Sequence, residues 1–169
     1  MSKLDTFRAM HVPGDPLVIF NIWDAGSARV VAEAGAQAIA TGSYGVAEAN
    51  GMHDGEEFPL EMALANCRRI VGVTNLPVSI DMEAGYGSTP QEVARSAAVV
   101  AKAGAVGVNL EDRAPGQTAL LPVAEAAAKV GAVAGAGLWV NARTDVYLGK
   151  KPEDYTGALI DEVIERAHA

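Results

Sequence analysis

The chain contains one cysteine, few aromatic residues and no cluster of basic residues. Cys67 is the only cysteine among 169 residues, so no internal disulfide can form, and a cytoplasmic protein is expected. Aromatic residues make up only 5% of the chain, so the core must consist of Ala, Val, Leu and Ile. The net charge is −8 with no run of Lys or Arg, and no apolar run is long enough to span a membrane. We therefore expect neither nucleic acid nor a membrane as a partner.

The apolar residues fall into five short runs, each of which ends in polar residues. A chain of this length is enough for one domain, and we treat residues 1–169 as a single domain. Helix-like stretches separate the runs, and Gly35, Gly104 and Gly131 stand at the joints before the second, fourth and fifth. This repeated order predicts βα units and a parallel sheet. The predicted strands are Val18 to Asp24, Ala38 to Ser43, Val78 to Glu83, Val106 to Asp112 and Leu138 to Asp145.

Two α/β architectures fit this pattern. A (β/α)8 TIM barrel typically needs about 250 residues, so this chain would cover roughly the first five βα units. The alternative is an open doubly wound sheet, for which five parallel strands suffice. The length of the chain favours the open sheet, whereas the residues at the strand ends favour the barrel.

Polar residues alternate at the ends of the last three predicted strands. Because alternate residues of a strand point to the same side, each such pair should face one way. Active sites of parallel α/β proteins lie at the carboxyl ends of the strands. The pairs are Asp81 and Glu83, Asn109 and Glu111, and Asn141 and Arg143.

Three carboxylates facing one mouth would repel one another. Either some of them are protonated, or a cation lies among them, or they form salt bridges with Arg143 or Arg113. A hard ion such as Mg²⁺ prefers oxygen ligands and retains several waters, so three carboxylates are enough. No His or Cys stands beside them, which argues against zinc.

Several other polar residues have simpler interpretations. Cys67 shares a helical face with apolar residues and is interpreted as a core thiol. Asp24 is interpreted as a helix cap. His53 could shuttle protons or could be a solvated loop residue. The loop carboxylates are interpreted as solvated charges, and they are Glu48, Glu56 and Glu57.

Six segments together resemble the isocitrate lyase / phosphoenolpyruvate mutase family, in order from about residue 7 to residue 148. The resemblance implies a barrel and an enzyme that makes or breaks a C–C or C–P bond beside a pyruvoyl group, through an enolate. The substrate would be a small 2-oxo or 2-hydroxy acid, the cofactor Mg²⁺ or Mn²⁺, and the assembly a homo-oligomer. The segments are Asn21 to Arg29, Thr41 to Gly45, Gly51 to Asp54, Ile80 to Gly87, Asn109 to Asp112 and Asn141 to Asp145.

The resemblance also assigns roles to individual residues. Arg143 would grip a substrate carboxylate or phosphonate, and Asp54 would lie near the reacting centre. Apart from the resemblance, Trp23 could wall the substrate pocket or pack inside the barrel. The metal would be held, directly or through water, by Asp81, Glu83 and Glu111. The oxo-acid end of the substrate would be bound by the loop of Ser43, Tyr44 and Gly45.

The sequence departs from the family pattern at three points. Glu83 stands where the family usually has aspartate. The true lyases carry a Lys-Lys-Cys-Gly-His loop after the fourth strand, but here Glu111 to Gln117 contains neither Cys nor His. Isocitrate lyase activity is therefore not expected. The family also continues for three units beyond the five seen here.

Overall fold

Five parallel strands form a single sheet. The computed structural model describes all residues from 1 to 169. Each observed strand lies inside one of the five predicted runs but is shorter, because only the central residues pair. The strands are β1 (Asn21–Ile22), β2 (Ile39–Thr41), β3 (Val78–Asp81), β4 (Gly107–Glu111) and β5 (Trp139–Arg143).

Seven helices surround the sheet, and a short 3-10 turn spans Pro152–Asp154. No helix combines the length and the apolar character that crossing a membrane would require. The helices are α1 (Lys3–Ala9), α2 (Ala25–Glu33), α3 (Ser43–Ala49), α4 (Leu60–Val71), α5 (Pro90–Ala103), α6 (Val123–Gly135) and α7 (Gly157–His168).

The order of the strands decides between the two predicted architectures. The sheet runs β1-β2-β3-β4-β5, and every strand is parallel to its neighbour. A doubly wound sheet would reverse direction at a switch point, whereas a barrel adds each strand beside the previous one. The barrel-type prediction, with this chain covering five βα units, is therefore confirmed.

The two sides of each strand have different environments. Ile80, Val108 and Leu110 are almost fully buried in one continuous apolar cluster with side chains of the surrounding helices, such as Val93 and Val100. The alternate residues of the same strands are polar and point to the opposite, inner side. This alternation turns the carboxyl ends of β3, β4 and β5 into a polar mouth.

Local sequence signals set most helix boundaries. Asp24 caps α2 by accepting the Ser27 N–H at 2.7 Å, as predicted. Thr89 and Glu92 form a capping box at the start of α5. The prediction for Gly131 was wrong, because α6 continues to Gly135 and its alanine-rich stretch has no reason to stop earlier. The left-handed joint before β5 is Gly137 instead, with φ 85°.

Gly104 and Gly35 offer a matched test of packing at these joints. Both have left-handed backbones, with φ 102° and 97°. A Cβ on Gly104 would lie 2.9 Å from Cγ1 of Val71, whereas a Cβ on Gly35 would meet no atom within 4 Å. We predict that Gly35→Ala lowers the free energy of unfolding by about 1–2 kcal/mol, and Gly104→Ala by about 2–4 kcal/mol, in urea titrations. Equal losses would show that the contact with Val71 does not constrain the joint.

Candidate functional site

The strand register brings the inner polar residues of three strands side by side. Asp81 pairs in register with Asn109, and Asn109 pairs with Asn141. The Asn141 Nδ2 donates to Asn109 Oδ1 at 2.7 Å, which ties this layer together. Glu111 and Arg143 form the next layer toward the carboxyl ends of the strands. The mouth predicted from the sequence therefore exists at the ends of β3, β4 and β5.

Asp81 is held between its own strand and the loop after β2. Its Oδ2 accepts the Ser43 N–H at 3.1 Å, and its Oδ1 accepts the Glu83 N–H at 3.1 Å. The Asp81 N–H donates in turn to Thr41 Oγ1 at 3.0 Å. These bonds fix the carboxylate and leave each of its oxygens a free lone pair for a further ligand.

Glu111 forms an ion pair with Arg143. Arg143 Nη1 lies 2.7 Å from Glu111 Oε1, and Arg143 Nε lies 2.9 Å from Asp145 Oδ1. Burial raises the pKa of Glu111 to about 7; Arg143 opposes this shift, while the negative charges of Asp145, Asp81 and Glu83 add to it. Burial works against the charged form of Arg143, but Glu111 and Asp145 outweigh it and raise its pKa. The salt-bridge alternative thus holds for Glu111, whereas Arg113 pairs with Asp145 at 3.4 Å.

Glu83 does not follow the alternation expected of a strand. Its backbone is left-handed, with φ 50°, so β3 ends at Asp81 and the Glu83 side chain turns toward the loop before α4. Its Oε2 accepts the N–H groups of Gly55 and Glu56, each at 2.7 Å. Burial raises the pKa of this carboxyl group, the two N–H groups lower it, and the nearby charges of Asp54 and Asp81 raise it.

The three predicted metal ligands are neighbours, but they do not form a closed ligand cluster. No three His, Cys, Asp or Glu side chains approach closely enough to hold a metal ion. The reason is that Glu83 is bound to loop amides and Glu111 to Arg143. The donor set still suits a hard cation, because all three groups offer oxygen and because Asp81 and Glu83 both raise the pKa of Glu111. Their role as metal ligands remains a prediction.

The predicted substrate loop begins helix α3. Ser43, Tyr44 and Gly45 are its first three residues, so their N–H groups have no acceptor within the helix. Ser43 uses its N–H for Asp81, while the Tyr44 ring is exposed. Trp23 is half exposed, and its carbonyl accepts Asn66 Nδ2 at 2.8 Å. The loop therefore offers backbone N–H groups beside Asp81, as the substrate-binding prediction requires.

Asp54 and His53 lie in the exposed loop between α3 and α4. Asp54 directly precedes Gly55, whose N–H donates to Glu83. The Asp54 carboxylate is near enough to raise the pKa of Glu83. The loop therefore brings Asp54 near Glu83, and its role near a reacting centre stays a prediction.

The interpretation of Glu56 as a solvated charge was wrong. Glu56 is partly buried, its Oε1 accepts the Tyr86 N–H at 2.7 Å, and burial raises its pKa despite that hydrogen bond.

The sequence analysis missed Asp145 as a residue of the site. Its side chain lies between Arg143 and Arg113, and the residue is only 3% exposed. Because Arg143 and Asp145 are two residues apart, their spacing could have indicated the ion pair between them.

Fold and mouth together define a (β/α)-barrel protein with an acidic, arginine-containing site at the carboxyl ends of its strands. Residues 7–169 match the family model described as phosphoenolpyruvate phosphomutase. The chain therefore belongs to this family.

The relatives of this chain have names that refer to different activities. The 2-methylisocitrate lyase of Escherichia coli is 37% identical over 108 residues, which are 63% of this chain and 36% of that protein. A solved structure of a predicted phosphonomutase from Burkholderia cenocepacia is 46% identical with a TM-score of 0.93, covering 98% of this chain and 68% of the other. This chain spans between 36% and 58% of the length of four curated relatives.

A more distant structure shares the fold. Phosphonopyruvate hydrolase, solved in complex with oxalate and Mg²⁺, has a TM-score of 0.87 at 18% identity, covering 99% of this chain and 60% of the other. At this identity the likeness establishes the fold alone.

Asp112, Asp145 and Arg166 form a nearly buried charged cluster, which we expect to stabilise the fold. Asp112 accepts the Asp145 N–H at 2.9 Å and lies 3.4 Å from Arg166 Nη1. All three side chains are nearly buried, so Asp112→Ala removes the buried carboxylate beside Arg166 and the acceptor of the Asp145 N–H, and should lower the free energy of unfolding by about 3–5 kcal/mol. The more exposed partner of Arg166 provides the control, since Glu162→Ala should cost at most about 1 kcal/mol. Similar losses in denaturant titrations would contradict this division.

Proposed function

We propose that the chain is part of a Mg²⁺- or Mn²⁺-dependent enzyme that cleaves or rearranges a C–C or C–P bond beside a 2-oxo acid. The observation that supports this most is the placement of Asp81, and in the next layer Glu111 and Arg143, at the carboxyl ends of three adjacent strands. One relative is named as a lyase and one as a phosphonomutase, and a protein of the same fold is a hydrolase, so the bond to be broken is a proposal within that range.

Asp81, Glu83 and Glu111 are the residues that would hold the ion, directly or through water. The bound ion would supply a Lewis acid that stabilises the negative charge of an enolate. Asp81 has the clearest capacity for this, because both its oxygens retain a lone pair. Glu111 would exchange part of its contact with Arg143 for the ion. Glu83 would contribute through its Oε1, whose only contact is the Tyr86 hydroxyl at 3.5 Å.

Arg143 and the start of α3 would hold the substrate. Arg143 uses Nε for Asp145 and Nη1 for Glu111, so its Nη2 has no partner within the chain. A substrate carboxylate or phosphonate would bind this fork as Glu111 turns to the cation. The N–H groups of Tyr44 and Gly45 would bind the oxo-acid end, with Trp23 beside them. Asp54 would stand near the reacting atoms.

Isocitrate itself is not the proposed substrate. The segment after β4, from Asp112 to Leu121, has no Cys or His that could act as the acid of a true isocitrate lyase. We propose a small 2-oxo or 2-hydroxy acid with a similar head group, such as oxaloacetate, phosphonopyruvate or an alkylmalate.

The alternative is a protein that binds small carboxylates without turning them over. The closed pair between Arg143 and Glu111 favours this alternative, because it satisfies both charges without a ligand. A panel of 2-oxo and 2-hydroxy acids, assayed for pyruvate release, separates the two. Binding without release from any member of the panel would favour the binding protein.

Calorimetry with Mg²⁺ and oxalate tests the proposed site, because oxalate mimics the enolate of pyruvate. We expect oxalate to bind only when Mg²⁺ is present. Asp81→Asn should weaken this binding at least about tenfold, a typical effect of disturbing a metal site. Asp161→Asn, at an exposed position of α7, is the matched control and should bind as the unaltered protein does. Equal affinity for oxalate with and without Mg²⁺ would contradict the proposal.

Arg143→Lys tests whether the arginine binds substrate or only stabilises the mouth. Lysine keeps the charge but loses the planar fork, so catalytic efficiency should fall about 30- to 1000-fold, or about 2–4 kcal/mol. The free energy of unfolding should change by no more than about 1 kcal/mol, since the side chain is partly exposed. Arg95→Lys, on the exposed side of α5, is the control. Near-normal turnover with a lowered melting point would identify Arg143 as structural.

A further inference from the structure

Three non-glycine residues in the chain have left-handed backbones. They are Glu56, Glu83 and Tyr86, with φ 63°, 50° and 51°. Such a conformation is unfavourable for a residue with a Cβ, and it persists only where surrounding contacts determine it. All three residues contact one another through hydrogen bonds, although residue 56 lies 27 positions from residue 83. The strain in this protein is therefore concentrated in one small network beside the mouth.

The network is a reciprocal exchange between two loops. The Glu83 carboxylate accepts the N–H groups of Gly55 and Glu56, each at 2.7 Å. In return the Glu56 carboxylate accepts the Tyr86 N–H at 2.7 Å, and the Tyr86 hydroxyl lies 3.5 Å from the second oxygen of Glu83. Each loop thus supplies the acceptor for the backbone of the other. We call this arrangement, formed by Gly55, Glu56, Glu83 and Tyr86, the carboxylate clasp.

The β3 side of the clasp rests on buried groups. Ser96 Oγ donates to the Tyr86 carbonyl at 2.9 Å, and Lys129 Nζ donates to the Gly87 carbonyl at 3.1 Å. Lys129 is only 3% exposed and carries a charge that favours the ionised form of Glu56. The loop between α3 and α4 has less support, since Gly55 is exposed and only Phe58 is buried close by. This loop, which carries Asp54, is therefore the less supported side of the clasp.

We propose that Glu56 is a positioning residue that holds Asp54 and Glu83 at the mouth. Glu56 itself faces the loop after β3, so it acts through the clasp and not by touching a ligand. Without the Glu56 carboxylate, the Gly55–Glu56 turn would lose its hydrogen bond with the Tyr86 N–H, the contact that balances its strained backbone. Asp54, one residue earlier, would then leave the mouth, and Glu83 would lose its fixed orientation. The proposal rests on the proposed function for the roles of Asp54 and Glu83, but not for the existence of the clasp.

Amide hydrogen exchange, measured residue by residue by NMR in the absence of metal, tests the clasp itself. In Glu56→Ala the Tyr86 N–H loses its acceptor and should exchange at least about tenfold faster. The decisive signals are the N–H groups of residues 55 and 56, whose acceptor Glu83 is unaltered. If the clasp is cooperative, they should also exchange at least about tenfold faster. Faster exchange at Tyr86 alone, or at none of these residues, would overturn the proposal.

Two further variants keep this test interpretable. Glu57→Ala is the matched control, because Glu57 is adjacent and exposed and makes only a 3.4 Å contact with the His53 N–H. It should leave exchange at residues 55, 56 and 86 unchanged. Glu56→Gln keeps the size of the side chain and one acceptor oxygen, so it should give a smaller increase at the same three amides. It replaces Glu56→Ala if that protein does not fold.

Calorimetry with Mg²⁺ and oxalate then tests the positioning role. Glu56→Ala should weaken binding at least about tenfold, comparable to other changes around a metal site, while Glu57→Ala should not. Unchanged affinity in Glu56→Ala, despite faster exchange, would overturn the positioning role. If the unaltered protein binds neither ligand, the proposed function fails, whereas the exchange measurement still decides whether Glu56 closes the clasp.

Discussion

The parallel register of β3, β4 and β5 is the constraint on which the site depends. It sets Asp81 beside Asn109 and Asn141, and Glu111 beside Arg143. A shift of one residue in any strand would move these polar groups into the apolar layer between sheet and helices, where burying them would be costly. The buried partners Ile80, Val108 and Leu110 fix the register from the other side. The alternation of apolar and polar residues along these strands thus determines both the packing of the core and the position of the site residues.

Charge at the mouth is balanced within the chain, but only in part. Arg143 forms ion pairs with Glu111 and Asp145, and Arg113 forms a second ion pair with Asp145. Asp81 and Glu83 are bound by backbone N–H groups instead of cations. Their remaining charge raises the pKa of Glu111. A cation beside these groups would lower that repulsion, which is the physical basis of the metal proposal.

The sequence pattern was sufficient for the βα units and for the polar residues at the ends of the strands, whereas the strand order decided between barrel and open sheet. Glycine joints and apolar runs predicted the βα units, and period-two alternation predicted Asp81, Glu111 and Arg143 on one side. The same rule failed for Glu83, because its left-handed backbone ends the strand. Glu56 was missed for a different reason: a carboxylate in a glycine-containing loop gives no local sign that it will accept a hydrogen bond 30 residues away. Alternation describes regular strands, and neither residue lies in one.

We propose that Asp81, Glu83 and Glu111 hold a divalent cation at the carboxyl ends of the strands. A crystal structure of the chain with Mn²⁺ and oxalate, located by its anomalous signal, tests this most directly. The account predicts one ion within about 2–2.5 Å of an Asp81 oxygen or of a water bound to it, with Glu83 and Glu111 turned toward the ion. Oxalate should reach Arg143 and the first N–H groups of α3. An ion at any other place, with the Glu111–Arg143 pair unchanged, would contradict the account.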